Sequence, residues 1–105
     1  MEQNIELIHS KAQEVSDLMK IMSHSDRMVV LCLLSGGEMA VSELRGHTKL
    51  SQSAFSQHLA VLRKHELVSI KKSSQQVFYS LADGRVSIIL NALQQAFCPP
   101  LTLEQ

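Results

Sequence analysis

Residues 51–81 constrain this chain more than any other stretch, because they demand two different periodicities in immediate succession. Phe55, Leu59 and Leu62 fall at i, i+4 and i+7 and so share one helical face. Ser51 is well suited to cap that helix, since its hydroxyl can accept from an early backbone N–H. Gln52, Ser53, Ser56 and Gln57 then point away from the apolar face, with no carboxylate among them. Leu67, Val68 and Ile70 lead into Lys71 and Lys72. After the polar run Ser73-Ser74-Gln75-Gln76, Val77, Tyr79 and Leu81 alternate with Phe78 and Ser80, a period of two. The pattern predicts a helix with a small, polar, uncharged outer face, followed by a short hairpin with lysines near its tip. The polar run is the expected turn, although it holds no Gly, Asn or Asp to name a turn type.

A polar helix beside a basic hairpin suits double-stranded DNA. Gln pairs bidentately with adenine in the major groove, and Ser can bond bases or phosphates. Lysines beside the turn can neutralise phosphates without reading sequence. The candidate DNA-contacting residues are therefore Ser51, Gln52, Ser53, Ser56, Gln57, His58, Arg63, Lys64, Lys71 and Lys72. Taken alone, the helix also fits an ordinary solvated helix, and lysines also protect an edge strand from aggregation. The hairpin is what favours DNA.

Formal net charge is zero, but the charge is unevenly spread. Residues 1–50 hold five basic and seven acidic side chains, a net −2, and residues 81–105 carry −1. Residues 51–80 hold four basic and one acidic, a net +3. A neutral whole with one basic segment implies modest non-specific affinity for nucleic acid.

The chain has 105 residues, a typical length for one domain, and 45% of them are hydrophobic, enough for a core. With 4% aromatic residues and no Trp, that core must be aliphatic. No apolar run reaches the roughly 18 residues of a membrane span. The start, Met1-Glu2-Gln3-Asn4, lacks the basic residues of a signal peptide. A cytoplasmic protein without membrane contact is expected.

Residues 5–22 place Ile5, Ile8, Ala12, Val15, Leu18 or Met19, and Met22 at steps of three and four, which predicts an amphipathic helix. Ser23-His24-Ser25-Asp26 breaks that pattern and can cap the next helix. Met28 to Leu34 is apolar throughout and should lie centrally in the core, ending at Gly36-Gly37. A short helix from about Val41 to Arg45 or slightly beyond, capped at or near Ser42, is expected to pack through Val41 and Leu44. Gly46 to Leu50 turns into the Ser51 helix, completing a helix-turn-helix. A last helix spans about Asp83 to Phe97, stopped by Pro99-Pro100. Val86, Ile89, Leu90, Leu93 and Phe97 form one face, and Ile88, Ala92 and Ala96 widen it. A helix apolar over most of its circumference calls for cover, and a second subunit is the economical source. Ile8 and Val15 of the first helix with Ile89 and Leu93 of the last are the candidate dimerisation residues. The expected fold is mainly α with a small β-hairpin, a single winged helix-turn-helix domain over residues 1–105 in the order ααααββα. Its N- and C-terminal helices would make it a homodimer.

Leu44, the Leu50-Ser51-Gln52-Ser53 entry, Ser56-Gln57-His58-Leu59, Leu62 and Leu67-Val68, set in this order of elements, resemble the ArsR/SmtB family of bacterial winged-helix repressors. The resemblance covers nearly the whole chain. It implies a homodimer that binds a palindromic operator and releases it on sensing an inducer. Many members sense metal ions. The arsenic and cadmium or lead sensors carry Cys-x-Cys before the recognition helix, where this chain has Glu38-Met39-Ala40-Val41-Ser42-Glu43-Leu44. The zinc sensors use Asp-x-His and His-x-x-Glu in the last helix. Here Asp83 precedes Gly84-Arg85, and no His follows His65. His9, His24 and His47 read as solvated or structural, and His58 as a support for the recognition helix, so no metal site and no cofactor is expected.

Cys32, in Val29-Val30-Leu31-Cys32-Leu33-Leu34, and Cys98, in Phe97-Cys98-Pro99, are placed as in the dithiol branch of this family, which includes HlyU, BigR and SqrR. The resemblance implies that they sense reactive sulfur or oxidants and become joined by a disulfide or longer sulfur bridge. Two thiols far apart in sequence can form a reversible clasp between helices. From the residues alone the alternative stands open, since free Cys is often buried and inert, and nothing local activates either thiol. That alternative describes a constitutive DNA-binding competitor of another repressor. A small thiol oxidoreductase is disfavoured by the absence of Cys-x-x-Cys and of a βαβ pattern, so no enzyme is expected. The family usually has Gly where Glu66 stands, between the recognition helix and the first wing strand, where a Gly tolerates positive φ at the helix end.

Overall fold

The first apolar stripe forms α1, Ile5–Met22, in a computed structural model that describes residues 5–98. His24 ends the break and caps α2, Ser25–Leu34, its Nδ1 accepting from the Asp26 backbone N–H at 3.2 Å. α2 ends at Ser35, and Gly37 adopts a φ of +132° that only glycine takes readily. Val30, Leu31 and Leu34 are buried, so α2 is central as expected.

A two-residue strand, β1 (Met39–Ala40), precedes α3, Val41–Gly46. The expected cap at or near Ser42 is not found there. Ala40 holds the N-cap position without a side-chain hydrogen bond, and Ser42 lies inside the helix. Ala40 is extended because it pairs with Phe78, so a β-ladder sets the start of α3. Ser51 caps α4, Gln52–Lys64, its Oγ accepting from Ala54 N–H at 3.1 Å. β2 (Val68–Ser73) and β3 (Gln76–Leu81) form the hairpin in the register Val68↔Leu81 to Ser73↔Gln76. The sheet order is β1-β3-β2, all antiparallel. The strands run further into the polar segment than its composition suggests, leaving Ser74 and Gln75 as the loop. Ser74 has φ +57°, as the first position of a type II′ turn requires.

α5, Gly84–Phe97, is capped by Asp83, whose Oδ1 accepts from Arg85 N–H at 2.9 Å. Pro99-Pro100, the expected stop, lies outside the described residues. The expected single apolar face of α5 divides. Val86 and Leu90 are buried, Ile89 and Leu93 are half-buried, and Phe97 and Ile88 are 80% and 72% exposed. The core joins Leu18 and Met22 of α1 to α2, Leu44 of α3, and Phe55, Leu59 and Leu62 of α4. Leu67, Val68, Val86 and Leu90 complete it. Every member is aliphatic except Phe55.

Candidate nucleic-acid interface and thiol pair

The apolar face of α4 fixes where its polar face points. With Phe55, Leu59 and Leu62 held in the core, Ser51, Gln52, Ser53, Ser56, Gln57, Arg63 and Lys64 are exposed. Arg63 and Lys64 lie in the last turn of α4, where cations also complement the helix dipole. Val41, Ser42, Arg45, Phe55, Ala60 and Tyr79 help to line a hollow of about 690 Å³ between α3, α4 and the wing. Arg45 is a cation on this side that the α4 pattern did not reveal.

The end of α4 is built tightly. Glu66 N–H donates to Arg63 O at 3.0 Å and Leu67 N–H to Leu62 O at 2.9 Å, the paired bonds of a Schellman ending. Glu66 takes φ +63° there. Leu62 and Leu67, three and two positions from the cap, are both buried. The left-handed position where the family usually has glycine is therefore present with a glutamate in it.

His58, expected among the DNA-contacting residues, instead turns its ring toward α2. Its side chain is 14% exposed, and its Nδ1 accepts from Arg27 Nε at 3.3 Å. Arg27 also donates to Ile21 O at 3.2 Å, tying the end of α1 to the recognition helix. The His58 and His24 rings lie 4.4 Å apart between centroids, and Asp26 Oδ2 is 4.0 Å from His58 Nε2. Burial lowers the His58 pKa below its ordinary value, reinforced by His24 and Arg27 and opposed by Asp26. The ring is thus a neutral strut of the helix-turn-helix.

The two wing lysines are not equivalent. Alternation along β2 puts them on opposite faces. Lys71 Nζ sits 3.3 Å from Glu38 Oε2 and 5.9 Å from the Phe78 ring centre. Lys72, opposite Val77, has no ion pair among the described residues. Part of the basic charge expected near the tip is thus compensated by Glu38.

Cys32 is half-buried against the core and Cys98 is exposed at the C-cap of α5; both are free thiols. The last turns of α2 and α5 meet where Gln94 Nε2 donates to Ser35 Oγ at 3.5 Å, and Ser35 Oγ donates to Cys32 O at 2.6 Å. Cys98 N–H closes back on Gln94 O at 2.9 Å. Each cysteine therefore stands one helical turn from the same interhelix contact. Asp83, where the zinc-sensing relatives begin their metal site, is committed to capping α5 and to Arg85 at 2.7 Å, which holds its carboxyl below the usual range.

Along α1 and α5, Ile8 and Val15 are 49% and 53% exposed, and Ile5 and Leu7 are likewise open. Ile8, Ala12, Val15 and Met19 line one shallow apolar groove. Arg85 bridges the two helices, its Nη1 2.9 Å from Glu14 Oε2.

The pattern described as "Bacterial regulatory protein, arsR family" matches residues 24–69, from the cap of α2 into β2. The transcriptional activator HlyU of Vibrio cholerae is 37% identical over 95 residues, covering 90% of this chain and 88% of HlyU. The chain belongs to the ArsR family of bacterial regulators. A biofilm growth-associated repressor of Xylella fastidiosa is 36% identical over 91 residues, 87% of this chain and 80% of the repressor. The structure of reduced HlyU from Vibrio cholerae superposes with a TM-score of 0.84 at 36% identity, covering 90% of this chain and all of that one. The winged helix-turn-helix of an ArsR-family, DNA-binding transcriptional regulator is thus the architecture here, with α4 as recognition helix and β2–β3 as wing. No described helix is long and apolar enough to cross a membrane.

Proposed function

We propose that this regulator is a homodimer whose affinity for a palindromic operator is set by Cys32 and Cys98 in response to reactive sulfur species or oxidants. The observation that carries the reading is the Ser35–Gln94 contact, with one cysteine a helical turn away on each helix. Cys98 is the thiol that an inducer meets first, because it is exposed. Its thiolate attacks the outer sulfur of a small persulfide, forming a Cys98 persulfide and releasing the thiol. Cys32 then attacks the inner sulfur, forming the Cys32–Cys98 disulfide and releasing hydrogen sulfide. Two protein thiols are oxidised and one sulfane sulfur is reduced. The bond would draw α2 onto the end of α5, beside the apolar α1–α5 surface assigned to the second subunit. Operator release follows if that changes the spacing of the two recognition helices. Half-sites lie about one helical turn, roughly 10 bp, apart. A differential affinity of about 1.4 kcal/mol is a tenfold change in binding.

Ser51, Gln52, Ser53, Ser56 and Gln57 would meet the major groove, and Arg63, Lys64, Lys71 and Lys72 the backbone. The test combines intact mass after persulfide, peroxide and disulfide treatment with operator titration. Cys32→Ser and Cys98→Ser should each retain DNA binding and lose the response. Release of DNA by persulfide from either variant would refute the two-cysteine switch. The half-burial of Cys32 in the core favours a second reading, a constitutive DNA-binding competitor with inert thiols. Wild-type binding indifferent to all three reagents would establish that one.

A further inference from the structure

The fold brings together two histidines that are 34 positions apart. His24 caps α2, Asp26 lies in its first turn, and His58 comes from the middle of α4. One ligand atom from each lies within 4.8 Å of the other two. His24 Nδ1 is 3.9 Å and His58 Nε2 is 4.0 Å from the same oxygen, Asp26 Oδ2. Ligands of a tetrahedral zinc ion bound at about 2.0–2.1 Å are separated by roughly 3.3–3.5 Å. A contraction of about half an ångström on each edge to Asp26, and of at most about 1.4 Å between the two imidazole nitrogens, would close the triangle, within reach of side-chain torsions.

We propose that His24, Asp26 and His58 form a binding site for a divalent transition-metal ion of borderline softness, the zinc, cobalt and nickel class, joining α2 to the recognition helix. The donor set selects that class. Two imidazoles and one carboxylate suit such ions, whereas thiophilic ions require thiolates that this cluster lacks. Three protein ligands leave a position for water. The carboxylate offsets part of the charge that the nearby Arg27 guanidinium opposes.

The site is coupled to the helix-turn-helix by proton position. While Arg27 Nε donates to His58 Nδ1, the neutral ring carries its proton on Nε2. Metal capture at Nε2 moves that proton to Nδ1, which then becomes a donor facing a donor. The Arg27–His58 link must open, while the bond from Arg27 to Ile21 O remains available. His24 likewise exchanges the Asp26 N–H cap for the ion. An ion would therefore replace an α2–α4 hydrogen bond with a coordinate tie at the residue beside Gln57.

The test uses tag-free, full-length protein in a Cys32→Ser, Cys98→Ser background, which removes thiolate ligands and separates this site from the sulfur switch. Co(II) titration should saturate at one ion per chain, with visible d–d bands and no thiolate charge-transfer band. His24→Asn keeps a capping side chain and should lower Co(II) and Zn(II) affinity at least tenfold, as should Asp26→Asn. His9→Ala should leave it unchanged. Zn(II) should shift operator affinity at least threefold in the parent and leave His24→Asn unaffected. The site is refuted if no saturable binding occurs, or if binding survives both substitutions. Operator affinity indifferent to a bound ion would refute the coupling.

Discussion

At the scale of single residues, Glu66 shows how local strain and burial trade off. A left-handed conformation costs a non-glycine residue roughly 1–2 kcal/mol. It persists because both Schellman bonds form and Leu67 is carried into the core beside Leu62. Glu66→Gly removes the strain but loosens the unfolded chain, so the net gain should be roughly 0.5–1 kcal/mol. A higher urea midpoint at unchanged slope would show it. His58 makes a second prediction, about pH. Its folded pKa is below the ordinary 6.5, chiefly through burial, so the folded state disfavours the protonated ring. The stability it supports is present above that ordinary value and is lost as pH falls through it toward the lowered one. Thermal unfolding in chelator-containing buffer should therefore be less steep between neutral pH and mild acid for His58→Gln than for the parent. Equal slopes would mean that the ring is solvated in the native protein.

At the scale of elements, the helix and the wing should contribute separably. Gln52→Ala or Gln57→Ala should erode discrimination between operator and random DNA, each lost base contact costing about 1–3 kcal/mol. Lys72→Ala should weaken both kinds of DNA and flatten the salt dependence. Lys71→Ala should do less, because Glu38 already balances that charge, and Glu38→Gln should strengthen binding. Fluorescence anisotropy over a salt series measures all five, and equal losses for the two lysines would contradict the assigned pairing.

Much of this level was legible in the chain. The i, i+4, i+7 spacing of Phe55, Leu59 and Leu62 and the alternation of Val77 to Leu81 fixed α4 and β3, because burial imposes those periods. Three features had no local signal. β1 is two residues paired to β3, and its pairing displaced the cap expected near Ser42. The Lys71–Glu38 pair joins residues 33 positions apart. His24 read as a solvated or structural residue and His58 as a support for the recognition helix, because only the packing of α2 on α4 brings the two together. The thiols were identified by position, and the Ser35–Gln94 contact between their helices was not foreseeable from spacing.

At the scale of the whole molecule, the first two-thirds of α1 finds little support in its own protomer. Leu18 and Met22 enter the core with Met19 and Ile21 packed beside them, while residues 5–17 are exposed. Ile8→Glu with Val15→Glu should therefore leave the protomer folded, convert a dimer to a monomer in sedimentation at micromolar concentration, and weaken operator binding at least tenfold. A dimer that survives both charges would place the interface elsewhere.

The overhang of α1 also bears on how long a newly made chain survives. A helix with so few core contacts frays, and proteases act on such transiently open segments. Lys11 and Lys20 are exposed along it and offer trypsin-like cleavage points until a second copy covers them. Turnover would then fall as concentration rises, so that the cell's stock of this regulator is trimmed fastest when scarce. Cleavage at these two lysines that slows with protein concentration is the signature to look for.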